Sequence, residues 1–493
     1  MNFSLPCPSP RTALRAFLSA FCVVMPATLI NGCGGGNGAA TTLTGNTPVT
    51  LLATSTGNDQ LSELTLDITG VTLTNKEGKS VSLLSLPQYV EFMHLNGGIE
   101  PLQTANVPQD VYTSATISIS HGVPLCETYD PASGGTDINS AQTAQVSNVT
   151  ANLSEPITVT GTGMGLALNL QVSESTNYSG CSSLVGGAVP FSVTPTFNVT
   201  PVTFAAQPTN STNGKASGLR GLIGAVTAGG TGFSVAGDFG AGTNAPIWQV
   251  SSNGGTVFQG ITGASQLAAG MPVDMDVAIQ TDGTLVATRV AVYDPTSANV
   301  SFSNGPQSYV SAAAPSMSSL AIEVQGPDFT DFGGGPTGYS FGNAAFQISG
   351  QMTNLGALPF TASFDATKMV AGQNIFVTTH ALTNNGPFQA ATVTLLPQTI
   401  NGTVSAISTS GSFTTYTISL PAYNLFPNLA VPQGQAAVLT NPNTVVVYVD
   451  SDTQMLNTSP LAVGGVFRFS GLVFDDGGTL RMDCAQINDG VKE

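Results

Sequence analysis

The sequence runs to 493 residues, with 11 Lys+Arg against 28 Asp+Glu and a formal net charge of −17. Only 8% of residues are charged, against about 25% in an ordinary soluble domain, so the surface has to be made of Ser, Thr, Asn, Gln and Gly. A charged coil and a coiled coil are excluded. The scarcity of basic side chains argues against nucleic acid, whose binding needs clustered Lys and Arg to displace counterions.

The chain opens on an address. Arg11 and Arg15 precede an apolar stretch from Ala16 to Ile30, which is short for a membrane span and interrupted by Pro26. Ile30-Asn31-Gly32-Cys33 then leads into Gly34-Gly35-Gly36. This segment resembles the lipobox of bacterial lipoproteins, in which an aliphatic and a small residue precede the cysteine that takes the lipid. Asn31 stands where small or aliphatic residues are commoner. The resemblance implies a signal peptide over 1–32, lipidation of Cys33, and a Gly/Thr-rich tether over 33–50. Gly34 is not the aspartate that commonly retains such lipoproteins at an inner membrane, so an exported protein of the outer membrane or cell surface is expected.

Beyond the tether lie Cys126, Cys181 and Cys484. Cys126 and Cys181 share one predicted domain and polar, turn-rich surroundings, which makes them candidates for a disulfide in an oxidising compartment. Cys484 reads as a buried strand thiol. No CxxC or HxH occurs, and His94, His121 and His380 are far apart in sequence, so neither a metal nor another cofactor is expected.

From residue 51 onward the dominant signal is period 2. Leu64, Leu66 and Ile68 alternate with Thr65, Asp67 and Thr69, and the phase flips after Gly70, as at a β-bulge. Ala115, Ile117 and Ile119 alternate with hydroxyls, and so do Leu166, Leu168 and Leu170 with their neighbours. No long 3.6-residue stripe is present, and the predicted class is all-β. The series Leu61 to Val71, Val90 to Gly97, Val107 to Tyr112 and Pro195 to Pro201 resembles the N-terminal domain of bacterial envelope lipoproteins in domain-of-unknown-function family 4382. Asp110 stands where that family has glycine. The resemblance covers 51–205, implies an antiparallel β-sandwich, and brings no catalytic residues.

After a Pro/Thr/Asn/Ser linker at 206–217, an internal repeat is read in three units, 218–296, 297–398 and 399–493. Gly224-Ala225-Val226 before Phe233 matches Gly402-Thr403-Val404 before Phe413. Leu267-Ala268-Ala269-Gly270, Met369-Val370-Ala371-Gly372 and Leu461-Ala462-Val463-Gly464 each precede a strand, a tight turn and a returning strand. These are hairpins. The unit resembles small β-barrel repeats of family 5666, and implies OB-like barrels, whose closure removes exposed edges.

Chemistry-bearing patterns are sparse. Gly338-Tyr339-Ser340-Phe341-Gly342 has the form G-x-S-x-G, with Asp365 and His380 following in hydrolase order. No helix pattern follows Ser340, so a turn is the better reading and a secreted serine hydrolase is the alternative. Asp274 and Asp276 share one strand face, and Asp450-Ser451-Asp452 and Asp475-Asp476 resemble fragments of calcium loops; solvated aspartates are expected. Gly161-Thr162-Gly163 precedes a strand, not the helix a dinucleotide fingerprint needs. Trp248, Tyr293, Tyr309 and Tyr339 are the aromatic candidates for a sugar platform, with burial the simpler reading. The expectation is a lipid-anchored, all-β envelope protein, binding, adhesive or structural rather than catalytic, with an envelope protein or glycan as partner.

Overall fold

In the computed structural model of the chain, the alternating segments become strands. The structure describes residues 43–489 apart from 57–62, 93–94, 96, 131–134, 141–143, 146–147, 178–191, 238–245, 293–299, 302–307, 313–318, 325–336, 341–343, 350–354, 371, 381–387, 421–438 and 456–458. These residues fall in one compact unit, Leu43–Glu493. The fold is all-β, with an N-terminal sandwich and small closed barrels of OB-like form.

The sandwich places two sheets face to face. One has the order Phe197–Val202, Met164–Leu170, Asn46–Ser55, Glu100–Pro108. The other is built on the long pair Glu63–Asn75 and Asp110–Asp130. Leu51 and Ala53 meet Leu64, Leu66 and Ile68 across the layer, with Ile117, Leu166 and Leu168 in the same core. Phe92 and Phe197 pack edge to face at 5.9 Å. The phase change at Gly70 coincides with a register shift between Ile68 and Gly70. One expectation is modified: Asn46–Ser55 and Met164–Leu170 run parallel, because the chain builds the second sheet before re-entering the first alongside its opening strand.

The first sheet is buried on both faces. Leu51 points into the sandwich, while Leu52 and Ala167, with Phe204, point outward into a second core with Val273, Met275 and Val290 of the first barrel. Burying a leucine of this kind contributes about 1.5–3 kcal/mol. The approach is close. A Cβ on Gly163 would lie 1.5 Å from the Thr281 carbonyl oxygen, and one on Gly283 would lie 2.2 Å from Thr104 Oγ1.

Three sheets close on themselves with one topology. In the first barrel the strands Lys215–Val226, Gly232–Gly237, Ile247–Ser251, Pro272–Ile279 and Leu285–Val292 pair in the cyclic order 1-2-3-5-4-1. The second barrel repeats this with Ser308–Ala312, Ser319–Val324, Thr337–Ser340, Asn374–His380 and Phe388–Leu395. The third uses Gln398–Ser410, Phe413–Ser419, Thr444–Val449, Val466–Asp476 and Thr479–Asp489. In each, strands 3 and 5 are parallel, and a short extra strand runs parallel beside strand 5.

The repeat glycines have a common cause. Gly270, Gly372 and Gly464 hold φ of 85°, 96° and 85°, a region that L side chains resist. Gly270 N donates to Ile223 O at 2.7 Å, and Gly464 N donates to Val404 O at 2.8 Å. Ile223 is therefore the counterpart of Val404, and Gly221, not Gly224, is the counterpart of Gly402. The sequence match of Gly224 with Gly402 is therefore off by three residues, and the hairpin between strands 1 and 2 is longer in the third barrel, Val404 pairing with Ile418 where Ile223 pairs with Val235.

Candidate functional site

Of the sequence-predicted hydrolase residues, the backbone places Ser340 and His380 on the two strands that flank Phe388–Leu395, and Asp365 in a turn. Ser340 ends a strand and pairs with Ser319 and Gln389. The next described element is another strand, Ala345–Ile348, so the strand-to-helix elbow is missing. His380 ends a strand beside Val300. Asp365 lies in an exposed turn and accepts from Thr367 N at 2.7 Å and Thr367 Oγ1 at 2.6 Å. The Thr367 hydroxyl bond holds its carboxyl below the usual carboxylate range against the effect of burial. Cys33, Cys181, His94 and Tyr293 lie outside the described residues, and of Cys126, Ser340, His380, Tyr309 and Tyr339 only the backbone is described.

Asp274 and Asp276 correct an expectation. They share one strand face, as read, but are buried rather than solvated. Arg289, opposite on the neighbouring strand, clasps both. Its Nε donates to Asp276 Oδ2 at 3.2 Å, one terminal nitrogen donates to Asp276 Oδ1 at 3.0 Å, and the same nitrogen bonds Asp274. Arg220 adds an ion pair to Asp274 at 3.5 Å. Burial opposes the charge on Arg289, but Asp274 and then Asp276 outweigh it and raise its pKa. These carboxylates hold the barrel strands together instead of waiting for a cation.

Other predicted acids are also engaged. Asp450 Oδ1 accepts from Asp452 N at 2.9 Å, and Asp475 Oδ1 accepts from Gly478 N at 2.7 Å. Among the described residues no group of three or more His, Cys, Asp or Glu is placed to hold a metal. Trp248 is buried, and its Nε1 donates to Pro101 O of the sandwich at 2.9 Å.

A cluster the sequence did not reveal sits on the outward face of the second sandwich sheet. The register slips between Leu66 and Ile68, so that Ser120 and His121 both oppose Asp67. Such a β-bulge re-aims side chains. Ser120 Oγ donates to Asp67 Oδ2, and lies 3.0 Å from His121 Nδ1. Serine and carboxylate address the same ring nitrogen, so this is not a nucleophile–base–carboxylate triad. Asp67 Oδ1 is buried without a hydrogen-bond partner, and the Tyr89 ring stands 6.2 Å from that of His121.

A second surface forms on the third barrel. Strands 2, 3 and 5 turn Phe413, Tyr448, Arg481 and Asp483 outward, away from the interior of Ile418, Val445, Val447 and Met482. Arg481 is aimed by Asp476, its Nε donating to Oδ2 at 2.6 Å, and also donates to the Tyr448 hydroxyl. Residues from the second barrel cover this face. Phe360 lies 5.0 Å from the Tyr448 ring and 5.8 Å from that of Phe474, with the Arg481 guanidinium 5.6 Å from its centroid. Burial, and then the charge of Asp450, push Asp483 up to about 6.

Compared with protein-family models and with curated proteins, the chain matches none. Among solved structures, it is similar to one described as drosophila Unr CSD456, at 11% sequence identity and a TM-score of 0.14, covering 56% of this chain and 99% of that one. At that TM-score the barrel topology rests on the strand pairings alone.

Proposed function

We propose that the chain is an exported, lipid-anchored protein of the bacterial cell envelope, held through Cys33, that acts as a non-catalytic binding, adhesive or structural module. Its partner in this reading is an envelope protein or glycan. The observation that carries it is the docking of the first barrel on the sandwich, where the outer face of the first sheet and the barrel interior form one apolar core. The third barrel also reaches the sandwich, Arg468 donating to Thr56 O at 2.9 Å. A platform fused in this way presents its strand faces in fixed directions, which suits multivalent or structural contact. The charged groups of Asp274, Asp276, Arg289 and Asp365 are engaged in internal bonds, which leaves little for acid–base work at those positions.

Two measurements test the reading together. Labelled-lipid incorporation is expected in the native chain and lost in Cys33→Ser, and proximity cross-linking on intact cells is expected to capture an envelope component. Lipid incorporation that is unchanged in Cys33→Ser, or turnover that depends on Ser340, would overturn it.

A further inference from the structure

We propose that the polar face of the first barrel binds one small inorganic monoanion of the chloride class, held by Arg289 with the charges of Arg220 and Lys215.

The charges on this face do not balance. Strands 1, 4 and 5 of the barrel give Val273, Met275 and Val290 to its core, so Asp274, Asp276 and Arg289 share the opposite face, with Arg220 and Lys215 on strand 1 beside them. Arg289 and Arg220 balance the two carboxylates. Lys215, 4.0 Å from Asp276 Oδ2, is then one positive charge in excess. The chain has only 11 Lys+Arg and a net charge of −17, yet three of those cations converge here. Among the described residues, no third carboxylate forms an ion pair with any of them.

The hydrogen bonds point the same way. Asp276 Oδ1 accepts from Gly218 N at 3.1 Å and from Arg289 at 3.0 Å, and its Oδ2 accepts from Arg289 Nε at 3.2 Å. The nitrogen that reaches Asp276 Oδ1 also bonds Asp274. The other terminal nitrogen of Arg289, Nη1, is buried without an acceptor among the described residues, on a residue only 6% exposed, and Arg220 Nε is buried in the same way. A buried N–H that meets no acceptor forfeits the hydration it had in the unfolded chain. A water supplies an acceptor and leaves the charge in place, whereas a monoanion supplies both. Gln259, on the short strand paired beside Arg289, has a buried Oε1 that meets no donor; turned over, its amide offers an N–H on this face instead. The side chains of Lys215 and Arg220, 29% and 15% exposed, give the route from solvent. Because the excess is a single charge, a monoanion fits better than a divalent oxyanion.

The test uses the full chain with chloride as the probe, in potassium chloride against potassium gluconate at matched ionic strength. The melting temperature is expected to rise saturably with chloride, by about 2–4 °C at tenfold excess over the dissociation constant. The chloride NMR resonance is expected to broaden in the presence of the chain. Both responses are expected to be lost in Lys215→Gln, which removes the excess charge from a half-buried position, and weakened about tenfold in Arg220→Gln. Both are expected to persist in Lys79→Gln, which removes an exposed charge of the sandwich. Equal melting in chloride and in gluconate would overturn the proposal and assign a water to Arg289 Nη1. So would a chloride response that persists unchanged in Lys215→Gln and Arg220→Gln, since it would then be a general effect of salt.

Discussion

The indole Nε1 of Trp248, in the first barrel, donates to the carbonyl oxygen of Pro101, in the sandwich, at 2.9 Å and 147 residues away in the chain. This bond ties the two bodies together at the edge of the apolar core formed by Leu52, Ile99, Ala167 and Phe204 with the barrel interior. Trp248 is also the single tryptophan, so its fluorescence reports on this junction alone. Trp248→Phe keeps the ring and removes the donor, leaving a buried carbonyl without its partner, at a cost of about 1–3 kcal/mol. Urea unfolding followed by circular dichroism is expected to show that loss as a lower midpoint.

Gly163→Ala probes the same junction by contact. Its new methyl would clash with the Thr281 carbonyl oxygen, so the sandwich loop or the barrel turn must give way. Overpacking of this kind costs about 1–3 kcal/mol. The expected readout is a red shift of Trp248 emission while the far-ultraviolet strand signal is retained.

Removing Arg289 takes the main partner from two buried carboxylates and leaves Asp274 with Arg220 at 3.5 Å. Asp274 has no solvent exposure and Asp276 only 8%, so Arg289→Met is expected to destabilise by about 3–5 kcal/mol. Thermal melts of Arg289→Met beside the native chain measure it. Calcium is expected to leave the native melting temperature unchanged, because Arg289 and Arg220 together balance the two acids.

Asp483 sets a pH dependence of known sign. Its folded pKa is raised, to about 6, by burial and then by Asp450. The stability linked to its proton is fully present below the ordinary value of 3.8 and is lost as pH rises through about 6. Asp483→Asn mimics the neutral form and is expected to stabilise the chain at pH 8 by on the order of 2 kcal/mol, with little effect at pH 4. Equal effects at both pH values would contradict the assignment.

Much of the fold was legible because alternation, glycine and closure are local signals. The strands around Leu64 and Leu166 were read from period 2, and Gly270, Gly372 and Gly464 marked equivalent turns because all three need positive φ. The face shared by Asp274 and Asp276 was legible too, but their burial was not. Arg289 comes to them only through strand pairing, which fixes a neighbour 13 and 15 residues away. Ser120 and His121 escaped notice for the same reason, since a bulge opposite Asp67 cannot be seen in either strand alone. The match of Gly224 with Gly402 failed because a short pattern of Gly, any residue and then Val or Ile recurs along the strand and does not fix register, whereas the hydrogen bonds of Ile223 and Val404 do. The G-x-S-x-G around Ser340 was a pattern without its elbow, and Asp365 lies in its own turn.

The sandwich and the first barrel share one apolar core and form a single platform. Urea unfolding of the full chain, followed in parallel by Trp248 emission and by circular dichroism of the strands, tests it most directly. A shared core requires a blue-shifted native emission that red-shifts with the same midpoint as the loss of strand signal, and Leu52→Ala is expected to move both midpoints down together, for a loss of about 2–5 kcal/mol. Trp248 emission that red-shifts at low urea while the strand signal is intact, or a Leu52→Ala variant that leaves the Trp248 transition unmoved, would contradict it.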